Sequence, residues 1–101
     1  MILMTAAAAV LACTSARAAD AAAGKAVYDK SCKTCHGADG TPNAGVAKMM
    51  KVQMADLKTI NLSAAEISAI VTGGKGKMKP IASVTGASVD DVAAYVLSMK
   101  K

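Results

Sequence analysis

Residues 31–37 read Ser31-Cys32-Lys33-Thr34-Cys35-His36-Gly37, and the Cys-x-x-Cys-His within them decides how the rest of the chain is read. Two thiols three positions apart lie near one another at the end of a helix. Each can therefore add across one of the two vinyl groups of a haem. The histidine that follows is carried under the ring, where an imidazole nitrogen can bind iron. The pentapeptide is the attachment signature of a c-type haem, with Cys32 and Cys35 as the thioether residues and His36 as the proximal iron ligand.

Two other chemistries use a Cys-x-x-Cys pair. A redox dithiol of the thioredoxin type wants a strand before the motif and a sheet around it. A structural zinc site wants two further ligands. No segment here alternates as a strand, the remaining cysteine is Cys13, and His36 is the sole histidine. The haem reading stands first.

Working outward toward the amino terminus, Met1 to Ala12 is an apolar run, broken only by Thr5, and Ala16-Arg17-Ala18 has the small-x-small form of a signal-peptidase site. The run is too short for a permanent membrane span. Residues 1–18 are expected to be a cleaved secretory signal and residues 19–101 a single haem-binding domain, exported to the periplasm. No basic residue precedes the apolar run, which departs from the usual signal pattern. Val10-Leu11-Ala12-Cys13 also resembles a lipobox loosely, so Cys13 offers acylation as an alternative fate.

The expected mature chain has 83 residues, small for a self-sufficient core. Its aromatic residues are Tyr28 and Tyr95 alone, with no Phe and no Trp. A covalently held haem, large, flat and apolar, supplies the missing core volume, and the chain without it is expected to fold poorly. Eleven lysines face seven acidic residues once Arg17 is removed. Two ionised propionates reduce that surplus further. Nucleic acid is not expected as a partner, because single-strand binding pairs basic residues with stacking aromatics.

All recognisable segments are helical. Asp20 is a suitable N-cap for an alanine-rich helix on which Gly24, Val27, Tyr28 and Ser31 share a face. Gly24 suggests a close approach by another element. Gly37 to Gly45 reads as loop, in which Pro42 can place a carbonyl to receive the proton on His36 Nδ1. Val46, Met49, Met50 and Met54 are expected to line one side of a short helix and pack the haem pocket. Asp56 begins a turn. Ser63-Ala-Ala-Glu66 is a capping box opening a helix with Ile67, Ile70 and Val71 on one face, ended by Gly73-Gly74. A last helix starts near Ser88, with Asp90 and Asp91 in its first turn and Val89, Val92, Ala93, Val96 and Leu97 as its apolar stripe. The fold class is all-α, three to five short helices around one haem.

A second iron ligand is sought in Gly73-Gly-Lys-Gly-Lys-Met78-Lys-Pro80-Ile81, a glycine-rich segment that tightens at a proline. Such a loop can lay a thioether against the open haem face. Met49, Met50, Met54 and Met99 compete with Met78 on residue type alone.

The ordered set of Gly24-x-x-x-Tyr28, Cys32-x-x-Cys35-His36, Met78 with Pro80, and a closing helix bearing Tyr95 resembles the small class I monohaem c-type cytochromes of bacteria. The resemblance spans the whole expected mature chain. It implies Cys32 and Cys35 as thioether residues, His36 as proximal ligand, Met78 as distal ligand and Pro42 as the carbonyl holding the proximal imidazole. It also implies crossed first and last helices, with Gly24 and Tyr28 against Val92 and Tyr95. Two departures stand out: Lys79 separates Met78 from Pro80, and the tryptophan common near the propionates is absent.

The function expected from this set is one-electron transport by a monomeric carrier, with no enzymatic chemistry. A His/Met-ligated iron has no position left for substrate. Lys33, Lys75, Lys77 and Lys79 flank the haem-bearing segments and are candidates for steering transient docking to an acidic redox partner. Two alternatives are a five-coordinate haem that binds a gas, should Met78 not ligate, and an electron-transfer domain anchored by acylated Cys13.

Overall fold

The computed structural model describes residues 19–101. The segment 1–18, with the expected cleavage site and Cys13, lies outside the described residues. Five helices follow in order: α1 (Ala21–Ser31), α2 (Lys33–His36), α3 (Ala44–Met50), α4 (Ala64–Gly73) and α5 (Ala87–Ser98). No strand occurs among the described residues; an isolated antiparallel bridge joins Lys75 to Met78.

Local chemistry sets most helix ends. The Asp20 carboxylate accepts from the backbone N–H of Ala22 and Ala23 at 2.9 and 3.2 Å and so starts α1. A cap of this kind is worth about 1 kcal/mol. The Ser63–Glu66 capping box is complete. Glu66 N–H donates to Ser63 Oγ at 3.1 Å, and Ser63 N–H donates to Glu66 Oε1 at 3.3 Å. Gly74 ends α4 at a φ of 76°, where a side chain would also collide with the Met78 carbonyl and the Pro80 ring. Glycine satisfies both demands.

α3 begins earlier than its sequence suggested and stops sooner. Asn43, within the expected loop, is its N-cap, accepting from Gly45 and Val46 N–H at 3.0 and 3.2 Å. Lys51, at a φ of 54°, ends the helix in the left-handed region. Met54 therefore falls beyond α3 and not on its face.

The dominant helix–helix contact is between α1 and α5. Gly24 is the reason the two can approach. A Cβ there would overlap the Asp91 backbone carbonyl and press on the Tyr95 side chain. Beside it the rings of Tyr28 and Tyr95 meet edge to face, centroids 5.2 Å apart and planes at 61°, an arrangement aromatic quadrupoles favour. Tyr28 and Val92 are fully buried. The crossing thus uses Gly24, Tyr28, Val92 and Tyr95 as the family resemblance implied, with Asp91 added.

Asp91 is the one surprise in this contact. The sequence paired it with Asp90 as a first-turn charge favoured by the helix dipole. It is instead buried, and Oδ1 accepts from the Asp20 backbone N–H at 2.8 Å. One carboxylate therefore ties the start of α1 to α5, across 71 positions of sequence.

Candidate haem site

α1 and α2 are separated by one residue, Cys32. Its N–H closes the last turn of α1 on the Tyr28 carbonyl at 2.8 Å, and its own carbonyl opens α2 by accepting from Cys35 and His36 N–H at 3.2 and 3.0 Å. A break at Cys32 followed by a single turn places Cys32, Cys35 and His36 along one wall. Gly37, at a φ of 78°, then turns the chain away; a Cβ there would overlap the Thr41 carbonyl. Asn43 locks the turn from below, its N–H donating to the Cys35 carbonyl at 2.8 Å and its Nδ2 to the Thr34 carbonyl at 3.3 Å. Sequence reading placed Asn43 in a loop and missed this role. The signal available was an N-cap residue before Ala-Gly-Val.

This wall faces a cavity of about 870 Å³. Cys32, Cys35, His36 and Met78 all line it, although Met78 arrives from the far end of the chain. Tyr28, Ile60, Ile67, Val71, Val92 and Val96, six of the nine buried apolar core residues, border it as well. The core is therefore built around the cavity and not beside it. A large apolar group suits a space with these walls.

The donor set fits that group. No disulfide joins Cys32 to Cys35. Burial raises the Cys32 thiol above its ordinary range, with the neighbouring Cys35 adding to the effect. Redox dithiols depend on the opposite shift. Burial pushes the His36 imidazole down, toward the neutral form that binds metals. Among the described residues no group of three or more His, Cys, Asp or Glu side chains converges as a metal site. The zinc reading has no ligand set there, and the thioredoxin reading has no sheet.

His36 Nδ1 is buried without a hydrogen-bond partner. The contact expected from Pro42 to this nitrogen is thus not made. What holds the histidine is its backbone: His36 N–H donates to Cys32, and the next N–H, from Gly37, donates to Lys33 at 2.8 Å.

The methionines divide into two groups. Met50, Met54 and Met78 line the cavity, whereas Met49 is 75% exposed. Met49 therefore does not pack the pocket as its spacing suggested, because α3 turns that face to solvent. Met99 packs its sulfur toward Gly40, away from the cavity. Met78 differs from Met50 and Met54 in how its backbone is held. Lys75 and Met78 exchange both backbone hydrogen bonds, at 2.9 and 3.0 Å, and Ile81 N–H ties the loop to the Val71 carbonyl at 2.8 Å. Lys77 Nζ reaches over to the Met50 carbonyl at 2.8 Å. Lys33, Lys75, Lys77 and Lys79 are all exposed, and the last three border the cavity mouth.

Comparison with known proteins agrees with this architecture. The family described as cytochrome C oxidase, cbb3-type, subunit III matches residues 19–96. Cytochrome c6 of Synechocystis sp. is 39% identical over 85 residues, covering 82% of this chain and 68% of the relative. Cytochrome c-555 of Chlorobaculum tepidum is 37% identical over 103 residues, covering 93% and 90%. Cytochrome c6 of Cyanidioschyzon merolae is 33% identical over 84 residues, covering 83% and 79%. A solved c-type cytochrome, KustC0563, shares the fold at a TM-score of 0.65 over 77% of this chain and 98% of its own, at 24% identity. The chain belongs to this c-type cytochrome family, as a small monohaem member with covalently bound haem c.

Proposed function

We propose that the protein is an exported one-electron carrier whose haem is held by Cys32 and Cys35 through thioether bonds, with His36 and Met78 as the two iron ligands. The bound haem supplies a ferric/ferrous couple. The observation that carries the reading is the convergence of Cys32, Cys35, His36 and Met78 on one apolar cavity.

Each residue has a separate task. Cys32 and Cys35 would hold the haem through thioether bonds, and neither thiol would then remain for dithiol chemistry. His36, kept neutral by burial, offers a lone pair without first losing a proton. Met78, on a loop closed by its own backbone bridge, would supply the second iron ligand. The apolar walls of the cavity would limit the reorganisation that accompanies a change of charge on the haem. With His36 and Met78 both bound to iron, no place would remain for a substrate, which supports a carrier over an enzyme. Transfer then requires only brief docking at a small interface.

The relatives are named as cytochromes c6 and c-555, which supports the carrier reading for this chain. Among the described residues no helix is long and apolar enough to cross a membrane. Residues 1–18 are proposed as the export signal, cleaved after Ala18 to deliver a periplasmic monomer. The mass of the mature amino terminus tests this against acylation at Cys13. Lys33, Lys75, Lys77 and Lys79 are proposed to steer the carrier to an acidic partner surface, so association slows as salt rises. A salt-independent electron-transfer rate removes that role.

Optical spectra of the haem-loaded protein, with and without carbon monoxide, test the ligands. The expected result is a ferric thioether-to-iron charge-transfer band and no shift of the ferrous spectrum on adding carbon monoxide. A high-spin spectrum that shifts with carbon monoxide means an open iron position, and the gas-binding reading replaces the carrier.

A further inference from the structure

α3 has no buried residue, so packing contributes little to its place and its two ends carry the hold. The first end is fastened to the attachment motif. Asn43, its N-cap, donates from the backbone N–H to the Cys35 carbonyl at 2.8 Å and from Nδ2 to the Thr34 carbonyl at 3.3 Å. The last end is fastened elsewhere. Lys77 Nζ donates to the Met50 carbonyl at 2.8 Å, across 27 positions of sequence. Met50 closes α3, and the final carbonyls of a helix have no partner within it. The dipole also favours a cation at that end. One ammonium therefore brings both a donor and a charge to the same terminus.

Lys77 is also the residue directly before Met78. The two-bond bridge between Lys75 and Met78 encloses Gly76 and Lys77 in a tight turn, so a hold on Lys77 passes to Met78 through a single peptide. That bridge is internal to the turn, and the bond from Ile81 to Val71 ties the loop back to α4. Neither connects the loop to the attachment motif. The Lys77–Met50 bond does so through α3, and Met50, Lys77 and Met78 all border the one cavity.

We propose that Lys77 is a positioning residue for Met78: its bond to Met50 makes α3 a strap that fastens the Met78 loop to the wall carrying Cys32, Cys35 and His36. The proposal rests on the reading of Met78 as an iron ligand. Withdrawal of the loop then breaks the Lys77–Met50 bond together with the iron–sulfur bond. Without Lys77 the sulfur still reaches the iron, but the loop opens more often.

The test follows replacement of Met78 by imidazole in the ferric holoprotein, read as loss of the thioether charge-transfer band. Imidazole in its neutral form is not steered by a lysine charge, and at saturating concentration the rate of band loss reports loop opening. Lys77→Ala is expected to keep the band before imidazole is added and to raise the limiting rate about fivefold, the factor carried by one hydrogen bond of ordinary net strength. Lys77→Arg keeps a donor and a charge and is expected to exchange near the wild-type rate. Lys48→Ala removes the same charge from the exposed side of the last turn of α3 and is expected to leave the rate unchanged. A Lys77→Ala protein that exchanges at the wild-type rate overturns the proposal. So does a Lys48→Ala protein that speeds exchange equally, because loss of charge alone then accounts for the effect. Wild-type protein without the charge-transfer band overturns the ligand reading and, with it, this one; a wild-type band with an unmoved Lys77→Ala rate overturns this one alone.

Discussion

Cys32, Cys35 and His36 stand within five consecutive residues, on a helical turn attached to the α1–α5 crossing, whereas Met78 reaches the same cavity on a loop between α4 and α5. The first wall is held from many directions: by the break at Cys32, by Asn43 from below, by the Tyr28 hydroxyl and by a helix contact so close that one glycine permits it. The second is held by the two-bond bridge between Lys75 and Met78, the tie from Ile81 to Val71 and the reach of Lys77 to Met50. The difference shows where a covalent attachment needs rigidity and where a coordinate bond can do part of the holding. Thioether formation demands that two thiols and an imidazole be presented together. A thioether sulfur on a loop only has to arrive.

The largest effect is expected from removing the covalent anchors. The Cys32→Ser/Cys35→Ser double variant should carry no haem after denaturing electrophoresis and show no cooperative thermal transition, because six core residues border the space the haem completes. A cooperatively folded haem-free chain would break the comparison, since the first wall would then stand on its own. Next comes Gly24→Ala, which inserts a methyl into the Asp91 carbonyl. Overpacking of this kind is expected to cost about 3 kcal/mol, read from the denaturant midpoint of the holoprotein. A cost near zero would mean that the crossing yields more readily than its geometry implies.

Met78→Ala should be milder and qualitatively different. The haem stays covalently bound, the thioether charge-transfer band disappears, ferrous protein gains carbon monoxide binding, and stability falls by about 2 kcal/mol. Met50→Ala and Met54→Ala should each keep the band. If Met54→Ala loses it instead, the second wall has been assigned to the wrong strand of chain. The smallest effect is expected from Ser63→Ala, which opens the capping box of α4 for about 1 kcal/mol and leaves the spectrum unchanged. A change in the haem spectrum would show that α4 transmits its end geometry to the Met78 loop.

These expectations separate what could be read locally from what could not. The Ser63 capping box and the Asp20 cap were legible because their partners lie within three residues. Gly24 announced a close approach by being costly where it stands. Asn43 was hidden because a loop rich in Gly, Pro and Asn offers several equivalent starts for the next helix. Met49 was misjudged because the turn of α3, which decides that Met50 and not its neighbour Met49 faces the cavity, is set by tertiary packing and not by spacing. Pro42 was assigned a carbonyl contact by resemblance, and the buried Nδ1 of His36 has no partner.

By itself the sequence determined the chemistry of attachment, since Cys-x-x-Cys-His encodes its geometry in contiguous residues, together with an all-α chain and the face of each long helix that would be buried. Tertiary structure alone decided which methionines reach the cavity, that Asp91 turns inward to hold the start of α1, and that the Tyr28 hydroxyl reaches the Gly37 carbonyl. Contiguous motifs fix their spacing through covalent geometry. Contacts across tens of residues depend on how helices cross and where loops close, and no local pattern records those distances.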